Sequence, residues 1–145
     1  MQTRCLFLIL TLVTTLLAGC VKDRDVEPQT TDFNTFTLVL PPGWSKLSAQ
    51  GTDSQVGGIT NGRDELLYDY GWYSYNLSKE TSATHERTTF FIDGKPALLV
   101  EPKQPGKALT GIYVEVDAMN KFNLYGRNLK DQATATQIMR SVRFK

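Results

Sequence analysis

The strongest constraint on the fold is a hairpin pattern near the middle of the chain. Two β-prone runs, residues 88–92 and 97–100, flank the dipeptide Asp93-Gly94. Asp-Gly supplies the positive φ angles of a type I′ turn, whose twist matches that of paired antiparallel strands. Pro96 cannot donate a backbone hydrogen bond to a neighbouring strand, so it belongs beside the turn or on an edge. The sequence therefore predicts an antiparallel hairpin at this point.

The chain beyond Phe33 shows mainly the two-residue apolar period that is typical of strands. Further strands are predicted at residues 36–40, 46–48, 66–77, 112–117 and 122–125, and the glycines at 51 and 57–58 predict a turn and then a loop or bulge. The period changes near the end, where Ala135, Ile138, Met139 and Val142 form a helical apolar stripe. Asp131 is the predicted N-cap of this helix, and a last short strand is predicted after it. The predicted fold class is α+β: an antiparallel sheet of six or seven strands with a C-terminal helix packed on one face.

The N-terminal segment has a different character. Residues 6–18 are nearly all apolar, follow the basic Arg4 and lead into Ala18-Gly19-Cys20. As a helix this run would measure roughly 20 Å, too short for a bilayer core of roughly 30 Å. Its length suits the apolar region of a signal peptide. The pattern resembles a bacterial lipoprotein signal peptide, which predicts that Cys20 becomes the first mature residue and carries lipid, including palmitate; an ordinary secretory signal is the alternative.

The sequence thus divides into a signal peptide (residues 1–19), a polar tether (20–32) and a globular domain (33–145). Residues 1–19 contain one charged side chain, Arg4, so the mature chain keeps 15 basic residues against 15 acidic ones. A neutral chain gives no electrostatic reason to expect nucleic-acid binding. The second cysteine, Cys5, lies in the signal, so once Cys20 is acylated no thiol remains for redox chemistry or metal binding.

Three motifs resemble those of the PsbP-like superfamily, which includes the Ran-binding Mog proteins and the DcrB-type bacterial lipoproteins. They are the opening strand that leads into Leu40-Pro41-Pro42-Gly43-Trp44, the hairpin Ile92-Asp93-Gly94-Lys95-Pro96-Ala97, and the closing helix that leads into residues 138–144. The resemblance covers residues 33–145 and implies an α/β/α sandwich with accessory or protein-binding roles. It also implies a second helix between the opening strand and the middle of the sheet, which the glycine-rich residues 52–62 argue against.

The most unusual local feature is the aromatic segment 66–77. As one strand it would place Tyr68, Tyr70 and Trp72 on one face and Tyr73 and Tyr75 on the other. One interpretation is a central strand that is buried on both faces. The other is an exposed aromatic platform for a protein or a glycan, because Tyr and Trp are common in binding hot spots.

If this segment forms a site, Asp69, Trp72 and Tyr73, beside the flexible Gly71, are the candidate binding residues.

The polar residues predict no catalytic or metal centre. The acidic residues Asp53, Asp64, Glu65 and Asp69 match no calcium-binding loop, and we interpret them as solvated. The single histidine, His85, lies in a polar stretch and is predicted at the surface. It would need a nucleophile within hydrogen-bond reach to act as a general base. We therefore expect no enzyme activity, no cofactor and no metal.

These observations predict a lipid-anchored envelope protein with a binding or accessory role towards an envelope protein or complex. The alternative is binding of a small ligand or glycan through residues 66–77. Because Val21 rather than an aspartate follows the lipidated cysteine, resemblance to the enterobacterial sorting rule predicts the outer membrane.

Overall fold

The computed structural model describes residues 27–48, 51 and 54–145. The strands are β1 (Gln29–Asp32), β2 (Phe36–Leu40), β3 (Ser45–Ser48), β4 (Gln55–Thr60), β5 (Glu65–Gly71), β6 (His85–Ile92), β7 (Lys95–Pro102), β8 (Leu109–Glu115), β9 (Lys121–Arg127) and β10 (Arg143–Phe144). A helix, α1 (Gln132–Arg140), lies between β9 and β10.

A seven-stranded sheet forms the centre of the domain. Its strand order is β3-β4-β5-β9-β8-β7-β6, and every neighbouring pair is antiparallel. The predicted α+β fold class is confirmed, and so is the hairpin. Asp93 and Gly94 adopt φ angles of 49° and 78°, as a type I′ turn requires. Pro96 is the second residue of β7 and faces Phe91 on the edge strand β6.

A smaller sheet of three strands, in the order β1-β2-β10, was not anticipated. The turn between β1 and β2 places Asn34 at a φ of 72°, a conformation that asparagine tolerates. β10 pairs with the other edge of β2, so the two ends of the domain meet on one strand. The predicted tether is too long by four residues, because Gln29–Asp32 forms β1 and belongs to the folded domain.

The small sheet and α1 cover the same face of the seven-stranded sheet, which we call the core face. The buried cluster there combines β2, α1 and alternate residues of the large sheet; it includes Phe36, Leu38, Ile59, Leu66, Leu99, Ile112, Phe122, Leu124, Ile138 and Met139. Phe36 packs against Tyr68 and Phe122 with ring centroids 5.0 and 4.7 Å apart. The helix is amphipathic as predicted, with its apolar stripe directed into this cluster.

The glycine pair of β4 corrects one expectation. Gly57 and Gly58 lie inside a strand rather than in a loop or bulge. The Tyr68 ring of the neighbouring strand lies over Gly57, where a Cβ atom would meet its hydroxyl oxygen at 2.4 Å. The missing side chain therefore makes room for an aromatic ring on the core face. The resemblance to the PsbP-like superfamily implies a second helix between the opening strand and the middle of the sheet. There the described residues form the strands β3 and β4.

Candidate binding site

The opposite face of the large sheet, here called the outer face, is partly covered by residues 72–84. This covering segment follows β5 and has no regular secondary structure. The Ser74 hydroxyl lies 3.0 Å from the backbone carbonyl oxygens of both Asp69 and Lys121, so it ties the segment to the ends of β5 and β9. Buried Leu77 packs with Val100 and Leu109 on the outer face. The predicted strand 66–77 therefore ends at Gly71, and the expected alternation of faces holds only up to that residue.

Leu77 has an unusual backbone conformation. Its φ is 57°, in the left-handed region that costs a leucine roughly 1–2 kcal/mol. The side chain is completely buried, which offsets a cost of that size. The Arg87 guanidinium donates to the backbone carbonyl oxygen of Leu77 at 3.1 Å and also to that of Glu80. Apolar burial and a cationic donor thus hold the covering segment against β6 and β7.

Tyr75 organises the covering segment next to the sheet. Its hydroxyl donates to Glu80 Oε2 at 2.6 Å and accepts from the Lys79 backbone N–H at 2.9 Å. Burial, followed by the hydrogen bond to the Glu80 carboxylate, raises the pKa of Tyr75 above its ordinary value. The Tyr75 hydroxyl therefore stays protonated at neutral pH.

A cavity of about 320 Å³ remains between the covering segment and β4, β5 and β9. Its lining combines apolar, aromatic and polar groups: Val56, Gly57, Leu67, Tyr68, Asp69, Tyr75, Leu109, Asn123, Tyr125 and Arg127. Asp69 lies between Val56 and Asn123 in the strand register, so these three residues face one another across adjacent strands. A volume near 300 Å³ with a few polar groups is typical of a small-molecule site.

Two of the residues that line the cavity, Asp69 and Asn123, each carry a buried oxygen atom without a hydrogen-bond donor among the described residues. Asn123 is only 1% exposed, and its Nδ2 donates to the Tyr75 carbonyl oxygen at 2.9 Å. This contact fixes the amide orientation, because the reversed amide would place two oxygen atoms against each other. Asn123 Oδ1 and Asp69 Oδ1 are both buried and have no donor among the described residues. Buried acceptors of this kind are rare in native proteins and call for a partner.

The structure separates the three candidate binding residues. Asp69 lies in the cavity on the outer face, whereas Trp72 and Tyr73 lie beyond the end of β5 with 45% and 84% of their surfaces exposed.

The Lys121 ammonium lies 5.3 Å from the centre of the Trp72 ring. Trp72, Tyr73 and Lys121 line a shallow depression together with Tyr75 and Tyr113. Burial beside Glu115 raises the pKa of Tyr113 to about 12, so its hydroxyl remains a donor.

Exposed apolar side chains concentrate at this end of the sheet. Trp72 and Tyr73 follow β5, Met119 lies in the turn between β8 and β9, and Phe91 is near the end of β6. Among the described residues, these are four of the five exposed large hydrophobic side chains. From β5 to β6 the surface spans four strand spacings, roughly 19 Å. We call these four residues the end surface.

His85 is buried, contrary to the prediction of a surface histidine. Only 5% of it is exposed, at the start of β6. Its Nε2 lies 3.0 Å from the Leu109 carbonyl oxygen, which can only accept, so Nε2 carries the proton. Nδ1 lies 2.8 Å from the Thr84 hydroxyl oxygen, within hydrogen-bond distance. Both ring nitrogens are therefore engaged in joining the covering segment to the outer face.

The acidic residues also differ from expectation. Asp64 is buried rather than solvated, and its two carboxylate oxygens accept from the backbone N–H groups of Lys130 and Asp131 at 2.7 and 2.9 Å. Glu65 is exposed as predicted, and Asp53 lies outside the described residues. In the part of the chain that the structure describes, no three His, Cys, Asp or Glu side chains are grouped as metal ligands would be.

Sequence reasoning did not identify Asn123 and Tyr125 as site residues. They alternate with the buried Phe122 and Leu124, the ordinary pattern of a solvent-facing strand side. Nothing in that pattern shows that residues 72–84 fold over the same face. The available signal was Tyr75 and Leu77, which are too apolar for a free loop.

Comparison with known proteins adds no relative: no family model matches the chain, and no curated protein matches it. No helix in the described ranges combines the length and the apolar character needed to cross a bilayer. The predicted signal peptide and Cys20 lie outside the described residues.

Proposed function

We propose that this chain is a non-enzymatic lipoprotein of a bacterial envelope, held to the outer membrane by lipid on Cys20, and that its domain binds an envelope protein through the end surface. The anchor rests on residues 6–20 of the sequence, and the resemblance to the PsbP-like superfamily favours an accessory role. The observation that carries the docking proposal is the clustering of Trp72, Tyr73, Phe91 and Met119 at one end of the sheet.

Residue chemistry supports a protein as the occupant of the end surface. Tyr, Trp, Phe and Met are enriched at protein interfaces, and Trp and Tyr dominate their energetic centres. A surface roughly 19 Å wide matches the scale of a standard interface, which buries about 800 Å² on each partner. The engagement of both His85 nitrogens within the fold supports a role without catalysis.

The test is crosslinking of the intact lipoprotein in its native envelope, followed by mass spectrometry. We expect a specific crosslinked protein that is lost when Trp72 and Tyr73 are both replaced by serine. Val39→Ser is the matched control, because Val39 is the one exposed large hydrophobic residue outside the end surface among the described residues. The same crosslinked proteins from the double variant and the wild type would contradict docking at this surface.

A second candidate function, glycan binding, is favoured by the depression beside the end surface. Trp72, Tyr73 and Tyr75 line it together with Tyr113 and Lys121. Aromatic faces next to hydrogen-bond donors suit the apolar faces and hydroxyl groups of sugars. Because the chain has two tryptophans, Trp44→Phe leaves Trp72 as the only indole reporter. Chito-oligosaccharides should then change its fluorescence in a saturable way, and no saturable change would exclude them as ligands of this depression.

A further inference from the structure

We infer that the cavity between the covering segment and the outer face is a binding site for a small primary amine, whose ammonium group sits between Asp69 and Asn123. The site is independent of the end surface and of the proposed docking function. It rests on the paired donor-free oxygens, on the size and lining of the cavity, and on the unpaired charge of Asp69.

The polar end of the cavity offers acceptors only. Asn123 Oδ1 and Asp69 Oδ1 are both buried without a donor, and their residues face each other across β5 and β9. Directly opposite residues on neighbouring strands have Cβ atoms about 5 Å apart, so one donor group can bridge the two side chains once they move apart to admit it, since neither oxygen is accessible to solvent in this structure. An ammonium carries three N–H donors and no acceptor, so it complements this end and is not repelled.

Charge favours an ammonium over a neutral hydroxyl. The ion pairs among the described residues join Asp93 with Arg143 and Asp32 with Lys145, so they leave the Asp69 carboxylate without a cationic partner. Arg127 is the basic residue that lines the cavity. It is four positions beyond Asn123 along β9, so the backbones of these two residues are roughly 13 Å apart. Among the described residues, no ion pair therefore engages the Asp69 carboxylate.

The size of the cavity argues against a single water molecule or a bare metal ion. A water molecule occupies about 30 Å³ of liquid volume, roughly a tenth of the space present. Calcium takes six to eight oxygen ligands, and the described residues bring no three acidic or metal-ligating side chains together. Tyr75, Tyr125 and Leu67 also line the cavity; aromatic rings attract cations, and apolar side chains accommodate an alkyl chain.

The test compares butylamine with butanol, which share a carbon chain and differ in the terminal group. Each is titrated into the full mature chain while the side-chain amide signals of Asn123 are followed by ¹⁵N NMR. We expect butylamine to shift these signals in a saturable way at a concentration at least about tenfold lower than butanol, because the ammonium adds a charge-assisted hydrogen bond. Equal responses to the two compounds, or no response to butylamine, would overturn the inference.

Two variants locate the binding site. Asp69→Asn keeps the shape of the side chain but removes the charge, and it should weaken butylamine binding at least about tenfold. Its new amide can donate to Asn123 Oδ1, so the melting temperature should not fall.

Val56→Phe fills the cavity from β4 without altering either oxygen and should also abolish the shifts. Glu86→Gln, which removes an exposed carboxylate on β6, is the matched control and should bind as the wild type does. Unchanged binding by both cavity variants would place the amine elsewhere and refute the site.

Discussion

At the scale of single residues, the Asp64 side chain joins two distant segments of the chain. It lies in the β4–β5 connection, yet its oxygens accept from the backbone of Lys130 and Asp131, more than sixty positions away in sequence. The carboxylate thus fixes the chain immediately before α1. Hydrogen bonds to a charged group contribute about 1.5–3 kcal/mol, and the donors left behind would be unpaired.

We therefore expect Asp64→Ala to lower the free energy of unfolding by about 3 kcal/mol in urea denaturation. Glu65→Ala, at the exposed neighbouring position, is the control and should change it by less than about 0.5 kcal/mol. Equal effects of the two substitutions would show that the Asp64 contacts contribute little.

Single residues also show which structural features could be predicted from the sequence and which could not. The turn at Asp93-Gly94 was predictable because its φ angles depend on those two residues alone. Asp64 and His85 were predicted to be solvated because their neighbours in sequence are polar. Their burial depends on partners supplied by distant segments, the α1 connection and Leu109, which no local pattern reveals.

At the scale of elements, the covering segment determines whether the outer face is closed. Its packing depends mainly on Leu77, which is fully buried in a cluster of few residues. Leu77→Ala should lower the free energy of unfolding by about 3 kcal/mol. It should also speed hydrogen exchange of the backbone amides of residues 72–84 more than those of the sheet. Lys79→Ala, on the exposed side of the segment, provides the comparison; if it increased exchange as much, Leu77 would not be the anchor.

The stability that the N-terminal cap gives to helix α1 depends on pH. The Asp131 carboxylate accepts from the Thr134 N–H and hydroxyl, and these hydrogen bonds lower the pKa of Asp131 below its ordinary value. A carboxyl whose pKa is lowered by folding stabilises the fold above its unfolded pKa, near 3.9, and loses this contribution as the pH falls through the lower folded value.

Asp131→Asn also caps a helix but does not titrate. The difference in unfolding free energy between wild type and this variant should therefore favour the wild type at pH 7 and shift towards the variant below about pH 4. Urea denaturation at both pH values measures it, and a difference that does not vary with pH would rule out a titrating cap.

The elements themselves differ in how far they could be foreseen. β2 has the predicted bounds, and Asp131 is the N-cap of α1 as predicted. Ala135, Ile138 and Met139 form the buried stripe of α1, whereas Val142, predicted as its fourth member, lies beyond the end of the helix at Arg140. The end of β5 was missed because Trp72, Tyr73 and Tyr75 continue a strand-like composition. The chain leaves the sheet there because Ser74 and Leu77 find partners on the outer face.

At the scale of the whole molecule, the proposed lipid anchor on Cys20 would determine where the domain works. If Cys20 is lipidated, an alkyne-labelled palmitate fed to the producing bacteria should be incorporated into the wild-type protein. Cys20→Ser should abolish this label, because the acylated thiol is gone, and should release the chain from the membrane fraction. Cys5→Ser is the matched control, since that cysteine lies in the predicted signal peptide. Label retained by Cys20→Ser would refute the predicted site.

The hairpin formed by β1 and β2 has a mechanical consequence. A pull on the chain before Gln29 acts on the open end of this hairpin, because its turn lies at the far end, at residues 33–35. The load then falls on one interstrand hydrogen bond at a time, starting at the pair Gln29 and Leu40. Because β1 is an edge strand of the small sheet, it can unzip while β2 stays paired with β10. Under such a pull, β1 would release a few residues of extended chain between an anchor and the seven-stranded sheet before that sheet bears the load.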